Sequence, residues 1–197
     1  MKKLSILFFI AIFLVAGGVM FYPGSAGAET FLSAGIGAEQ ITFSNCSGDC
    51  DLLKNNSEAV ISLRMGKYWN RPLAILPVDI GVAGTISQTG HMHVDNKGID
   101  ERTGDISLLL RYRLEKFSLY GGYGVGSVIT ATNLGDCNHG ARFLTAGVEG
   151  KVSPQSATWY MEYRQYGTHH DFMEGASEEI TTREHVKSMT AGVRYTF

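Results

Sequence analysis

Charge is scarce in this chain. Asp, Glu, Lys and Arg make up 18% of its 197 residues, against roughly a quarter in ordinary soluble domains. The charges nearly balance, with 17 basic residues against 19 acidic ones, which excludes a strongly basic nucleic-acid surface. The scarcity does not signal disorder, because 44% of the residues are hydrophobic and a disordered chain has the opposite composition. Long apolar runs are missing after Phe21, so helices cannot carry the rest of the chain across a bilayer. Cysteine is limited to three residues and proline to four. What abounds is glycine, at 24 residues, with 10 Phe and 9 Tyr. Many glycines and aromatics with little charge fit a tightly curved β structure, not a helical bundle.

The first 28 residues read as a signal peptide, with residues 29–197 as one β-barrel domain. Lys2 and Lys3 form a positive start, Leu4 to Phe21 is apolar, and Ala26-Gly27-Ala28 supplies small residues for cleavage after Ala28. Cleavage would leave 15 basic and 19 acidic residues, a net charge of −4.

From Thr30 onward, apolar and small or polar residues alternate with period two in eight segments. Leu32, Ala34, Ile36 and Ala38 alternate with Ser33, Gly35, Gly37 and Glu39 in the first. The last runs Met189, Ala191, Val193, Tyr195 and Phe197 against Ser188, Thr190, Gly192, Arg194 and Thr196. One face is bulky and almost uncharged; the other is small, glycine-rich and ionisable. A soluble sandwich would pack its bulk inward, so the bulky face is assigned to lipid and the polar face to a barrel interior. Expected long connections fall near 44–57, 88–104, 131–140 and 167–184, alternating with short turns at Asn70-Arg71-Pro72, Glu115-Lys116 and Ser153 to Ala157. This is the rhythm of outer-membrane barrels, with short periplasmic turns and long outer loops. The fold class expected is therefore all-β: an eight-stranded antiparallel up-and-down transmembrane barrel, both termini periplasmic.

Two stretches carry a family resemblance: Tyr120-Gly121-Gly122-Tyr123-Gly124-Val125-Gly126 and Glu162-Tyr163-Arg164-Gln165-Tyr166. With the strand pattern, they make residues 29–197 resemble small outer-membrane barrels of the OmpA, OmpX and opacity-protein kind. The alternation of Met189, Ala191, Val193, Tyr195 and terminal Phe197 resembles the strand that barrel-assembly machinery reads. The resemblance implies an outer-membrane location, and partners in outer-membrane lipids, lipopolysaccharide and the assembly machinery, with a monomer expected.

Parity places Glu39, Arg64, Asp79, Arg111, Arg113, Glu149, Glu162, Arg164 and Arg194 inside. An eight-stranded interior is just filled by side chains, and unpaired charges there are costly. These residues are expected to pair into a plug; a narrow ion path is the alternative.

Cys46, Cys50 and Cys137 are expected in outer loops, where an oxidising compartment permits disulfides. A local Cys46–Cys50 bridge is preferred, and a bridge from Cys137 to either one is the alternative. Three thiols match no usual zinc spacing. His91-Met92-His93 with Asp95 could hold a metal but reads more simply as loop, so no metal and no cofactor are assigned. Arg183, His185 and Lys187 lie near the outer rim, either as a solvated edge or facing lipopolysaccharide phosphates.

The chain also resembles, more distantly, lipid A deacylase barrels of the PagL type, whose catalytic pattern is His-x-Ser with a nearby Glu. His169 aligns with that histidine, and Glu174 or Glu178 could supply the carboxylate, but Asp171 stands where the attacking Ser belongs. The expected function is a non-enzymatic outer-membrane protein displaying four outer loops for surface interaction, adhesion or envelope integrity. A deacylase-like esterase and a small channel are the alternatives.

Overall fold

The computed structural model describes residues 27–44, 56–70, 77–90, 92–94, 97–132, 135–152, 156–174 and 178–197. Nine strands follow in chain order: β1 (Ala28–Ser44), β2 (Asn56–Trp69), β3 (Val78–Thr89), β4 (Met92–Val94), β5 (Lys97–Arg113), β6 (Phe117–Thr132), β7 (Gly135–Lys151), β8 (Ala157–Glu174) and β9 (Glu178–Thr196). Eight of them close a barrel. Every consecutive pair is antiparallel, β3 pairs β5, and β1 pairs β9 to complete the ring. β4 is a three-residue spur on β5, pairing Met92 with Ile99 and Val94 with Lys97. Closure leaves no lipid-exposed sheet edge, the condition for strands in hydrocarbon.

The alternation sorts the side chains inside out. Ile36, Leu63, Leu108, Leu119, Leu144, Met161, Met189 and Val193 all face outward and are exposed on the isolated protein. Facing inward and buried are Ser33, Thr85, Asp105, Arg111, Thr145, Glu162 and Arg194. Burying polar groups and exposing aliphatic ones is the reverse of a soluble domain. It is what a bilayer solvent demands.

The strands are longer than the alternation suggested. Crossing hydrocarbon takes about 9–11 tilted residues, yet β5, β8 and β9 have 17, 18 and 19. The excess lies at the end away from Ala28 and Phe197, hereafter the distal end. Much of the segments 88–104, 131–140 and 167–184, expected as loops, is thus paired strand. Ile99 pairs with Thr132, Thr132 with Gly135, and Glu174 with Glu178. The aliphatic outward face ends before the strands do, so the alternation fades while the backbone ladder continues. Cys137 sits in β7 opposite Thr130 and not in a loop.

Bare strand positions seat aromatic rings. A Cβ on Gly66 would lie 2.6 Å from Phe31 Cε1, and one on Gly150 would lie 2.7 Å from the Trp159 indole. Phe31 stacks with Tyr68 at 5.2 Å, and these two with Ala83 and Leu109 form an apolar cluster.

Candidate functional site

The lumen is a stack of ionic and aromatic layers. At the proximal end, Arg111 Nε donates to Asp79 Oδ2 at 2.9 Å and Nη2 to Glu29 Oε2 at 2.7 Å. Its Nη1 reaches Glu149 Oε1 at 3.3 Å. Arg113 also joins Glu29 and Asp79, but at the rim, with its side chain 38% exposed. Arg194 pairs with Glu149, and its guanidinium carbon lies 4.4 Å from the Phe31 ring centre and 5.1 Å from that of Tyr120. A cavity of about 470 Å³ opens at this end, lined in part by Arg111, Arg113, Lys151, Arg194 and Phe197.

The middle layer joins opposite walls. Arg64 on β2 donates from Nη2 to Glu162 Oε1 on β8 at 2.7 Å and from Nη1 to the other carboxylate oxygen. Arg64 Nε donates to Thr85 Oγ1 at 2.9 Å, and Tyr120 Oη to Glu162 Oε2 at 2.9 Å. Above it, Arg164 on β8 pairs with Asp105 on β5 and lies 4.3 Å from the Phe143 ring centre. Toward the distal end, Tyr166 Oη donates to Glu101 and Thr89 Oγ1 to Glu39 Oε1 at 2.6 Å. Val128, Ala141, Phe143, Tyr166 and Val186 form an apolar cluster there.

Of the nine residues assigned inside by parity, Glu39, Arg64, Asp79, Arg111, Glu149, Glu162, Arg164 and Arg194 are buried, while Arg113 stands at the rim. Glu29, Glu101 and Asp105 complete the network without having been singled out. Asp105 and Glu101 continue the inward parity of Ser107 back through Thr103, a signal hidden for Glu101 by assigning 88–104 to a loop.

The deacylase candidates lie near the distal ends of β8 and β9. His169 is the Cα partner of Arg183, whereas Glu174 is the partner of Glu178, five positions further along β8. The side chains of His169, Glu174 and Glu178 lie outside the described residues. Cys46, Cys50, His91 and Asp95 lie outside the described residues, as do the residues preceding Gly27. Among the described residues, no group of three or more His, Cys, Asp or Glu is placed to hold a metal.

A closed antiparallel barrel with an aliphatic exterior and a hydrogen-bonded ionic interior is a transmembrane β-barrel. Residues 11–197 match the model of the outer membrane protein beta-barrel domain, and the chain belongs to that family. It is an outer-membrane protein. No curated relative matches the sequence. Among solved structures it is similar to Neisserial surface protein A, with 15% identity and a TM-score of 0.61 over 87% of this chain and 100% of that one. Ail, the attachment invasion locus protein of Yersinia pestis, solved in complex with the heparin analogue sucrose octasulfate, is 20% identical with a TM-score of 0.44 over 86% and 100%. The outer membrane enzyme PagL is 10% identical with a TM-score of 0.43 over 81% and 97%. At such identities the likeness to Neisserial surface protein A concerns fold alone.

Proposed function

We propose that this protein is a non-conducting, non-enzymatic barrel that anchors its distal hairpins at the cell surface for contact with external ligands or neighbouring envelope components. In this reading the chain termini face the periplasm. The observation that carries it is the lumen, where Arg64–Glu162 and Arg164–Asp105 join non-adjacent walls. A barrel so filled offers function at its ends and outer surface.

Three measurements test it. Purified protein in planar bilayers should give no steady, resolvable conductance. The lipid A mass spectrum should be the same with and without expression. Replacing residues 169–182 by a short turn should leave a heat-modifiable barrel but reduce binding of expressing cells to their surface partner. Steady conductance, or loss of an acyl chain that depends on His169, would overturn the proposal.

A further inference from the structure

The charged groups on the outward face, among the described side chains, are basic. Among the described side chains, no acidic residue lies on the outward parity of any barrel strand, while Lys67, Arg102, Arg142, His185 and Lys187 all do. Three of these, Arg142 on β7 and His185 and Lys187 on β9, gather on either side of β8 toward the distal end. Arg142 and His185 are both Cα partners of Gly167, one on either side. They therefore flank a position with no side chain, about 10 Å apart across two strand spacings. Lys187 is two residues from His185 on the same face, about 7 Å along the strand. It is the partner of Gln165 on one side and of Gln40 on the other. All three side chains are exposed. Tyr163 Oη donates to Gln165 Oε1 at 3.2 Å, which leaves the Gln165 amide N–H groups as further donors.

One step toward the proximal end, the same face turns apolar. Leu144, Tyr163 and Met189 are its exposed outward residues. Two cationic donors and an imidazole around a bare saddle, directly above an aliphatic wall, match an amphiphile with phosphates on its head and acyl chains below. A soluble anion would have no use for the wall. We propose that Arg142, His185 and Lys187 around Gly167 form a seat for the phosphates of lipopolysaccharide, whose acyl chains lie along Leu144, Tyr163 and Met189. This rests on the orientation proposed above, with the distal end outside. That orientation is checked separately by inserting a protease site between Glu174 and Glu178 and treating intact cells.

The test is retention of bis-phosphorylated lipid A by the full barrel folded in detergent, read by native mass spectrometry. The comparison lipids are dephosphorylated lipid A and phosphatidylglycerol. The variant Arg142→Gln/Lys187→Gln removes two exposed charges from the seat. Lys116→Gln/Lys151→Gln removes two exposed charges from the proximal end and serves as the control. Retention of bis-phosphorylated lipid A should fall about ten-fold or more in the first variant, given the strength of single basic contacts at a lipid surface, and stay unchanged in the control. Heat-modifiable migration verifies that both fold. Equal retention in wild type and the first variant would overturn the proposal. So would an equal loss in the control, or equal binding of either comparison lipid. Cleavage of intact cells only after permeabilisation would reverse the orientation, a failure distinct from loss of the seat.

Discussion

Removing Glu162 tests whether the lumen is a dry, paired interior. Arg64 and Glu162 have side chains 4% and 5% exposed, so neither can turn to bulk water. Glu162→Ala strips Arg64 of its two-pronged carboxylate partner and Tyr120 of its acceptor. Thr85 remains bonded to Arg64 Nε, but it is neutral. Breaking a buried pair from one side costs about 3–5 kcal/mol, because a charge is left uncompensated. Glu162→Gln keeps a neutral acceptor for both partners and should cost less, about 1.5–3 kcal/mol, the worth of hydrogen bonds to a charged group. Arg64→Met/Glu162→Leu removes both charges and should cost less than Glu162→Ala alone, since apolar replacement of a whole pair is often neutral. Urea-dependent unfolding in lipid vesicles, followed by heat-modifiable migration, gives these values, and Arg64→Met and Glu162→Leu made singly close the double-mutant cycle. A loss below about 1 kcal/mol for Glu162→Ala, or additive single effects, would refute the reasoning. It would mean that water enters the lumen and solvates Arg64.

Other positions give sharper yes-or-no outcomes. Gly66→Ala sets a Cβ 2.6 Å from Phe31 Cε1 and 2.8 Å from Val82 O, so it should lower unfolding stability by about 1–3 kcal/mol. Gly140→Ala, with nothing within 4 Å of the new Cβ, should stay within about 0.5 kcal/mol in the same titration. Leu108→Arg, on the lipid face, should cost about 2–4 kcal/mol in bilayers if its level is near the midplane. Tyr195 and Phe197 meet edge to face at 5.0 Å on the outward side. Phe197→Ser should reduce assembled protein in cells while leaving refolding of purified protein into detergent nearly unchanged.

The sequence revealed the barrel where lipid imposes an aliphatic outward face and missed it where the strands run on without one. Leu108 and Leu110 against Ser107 and Leu109 mark β5 in the membrane. Lys97 to Asp105 continue the strand without an aliphatic face, so that stretch read as loop. The interior residues were legible because parity survives glycine: Arg64 stands on the same parity as Ser62 and Gly66, and Arg194 on that of Gly192 and Thr196. Their partners were not. Which arginine meets which carboxylate depends on barrel shear and crossing distance, and Arg64 reaches a residue 98 positions away.

The bonds that span the lumen also bear on how the barrel is made. Arg64 and Glu162 sit on β2 and β8, and the ring brings these walls together only when β1 meets β9. In an unclosed sheet both groups are wet and apart. Zipping the first strand to the last therefore expels solvent and forms the transverse salt links in one event. An insertion intermediate held open at that seam lacks this part of its final stability, so the seam is the step at which assembly becomes committed.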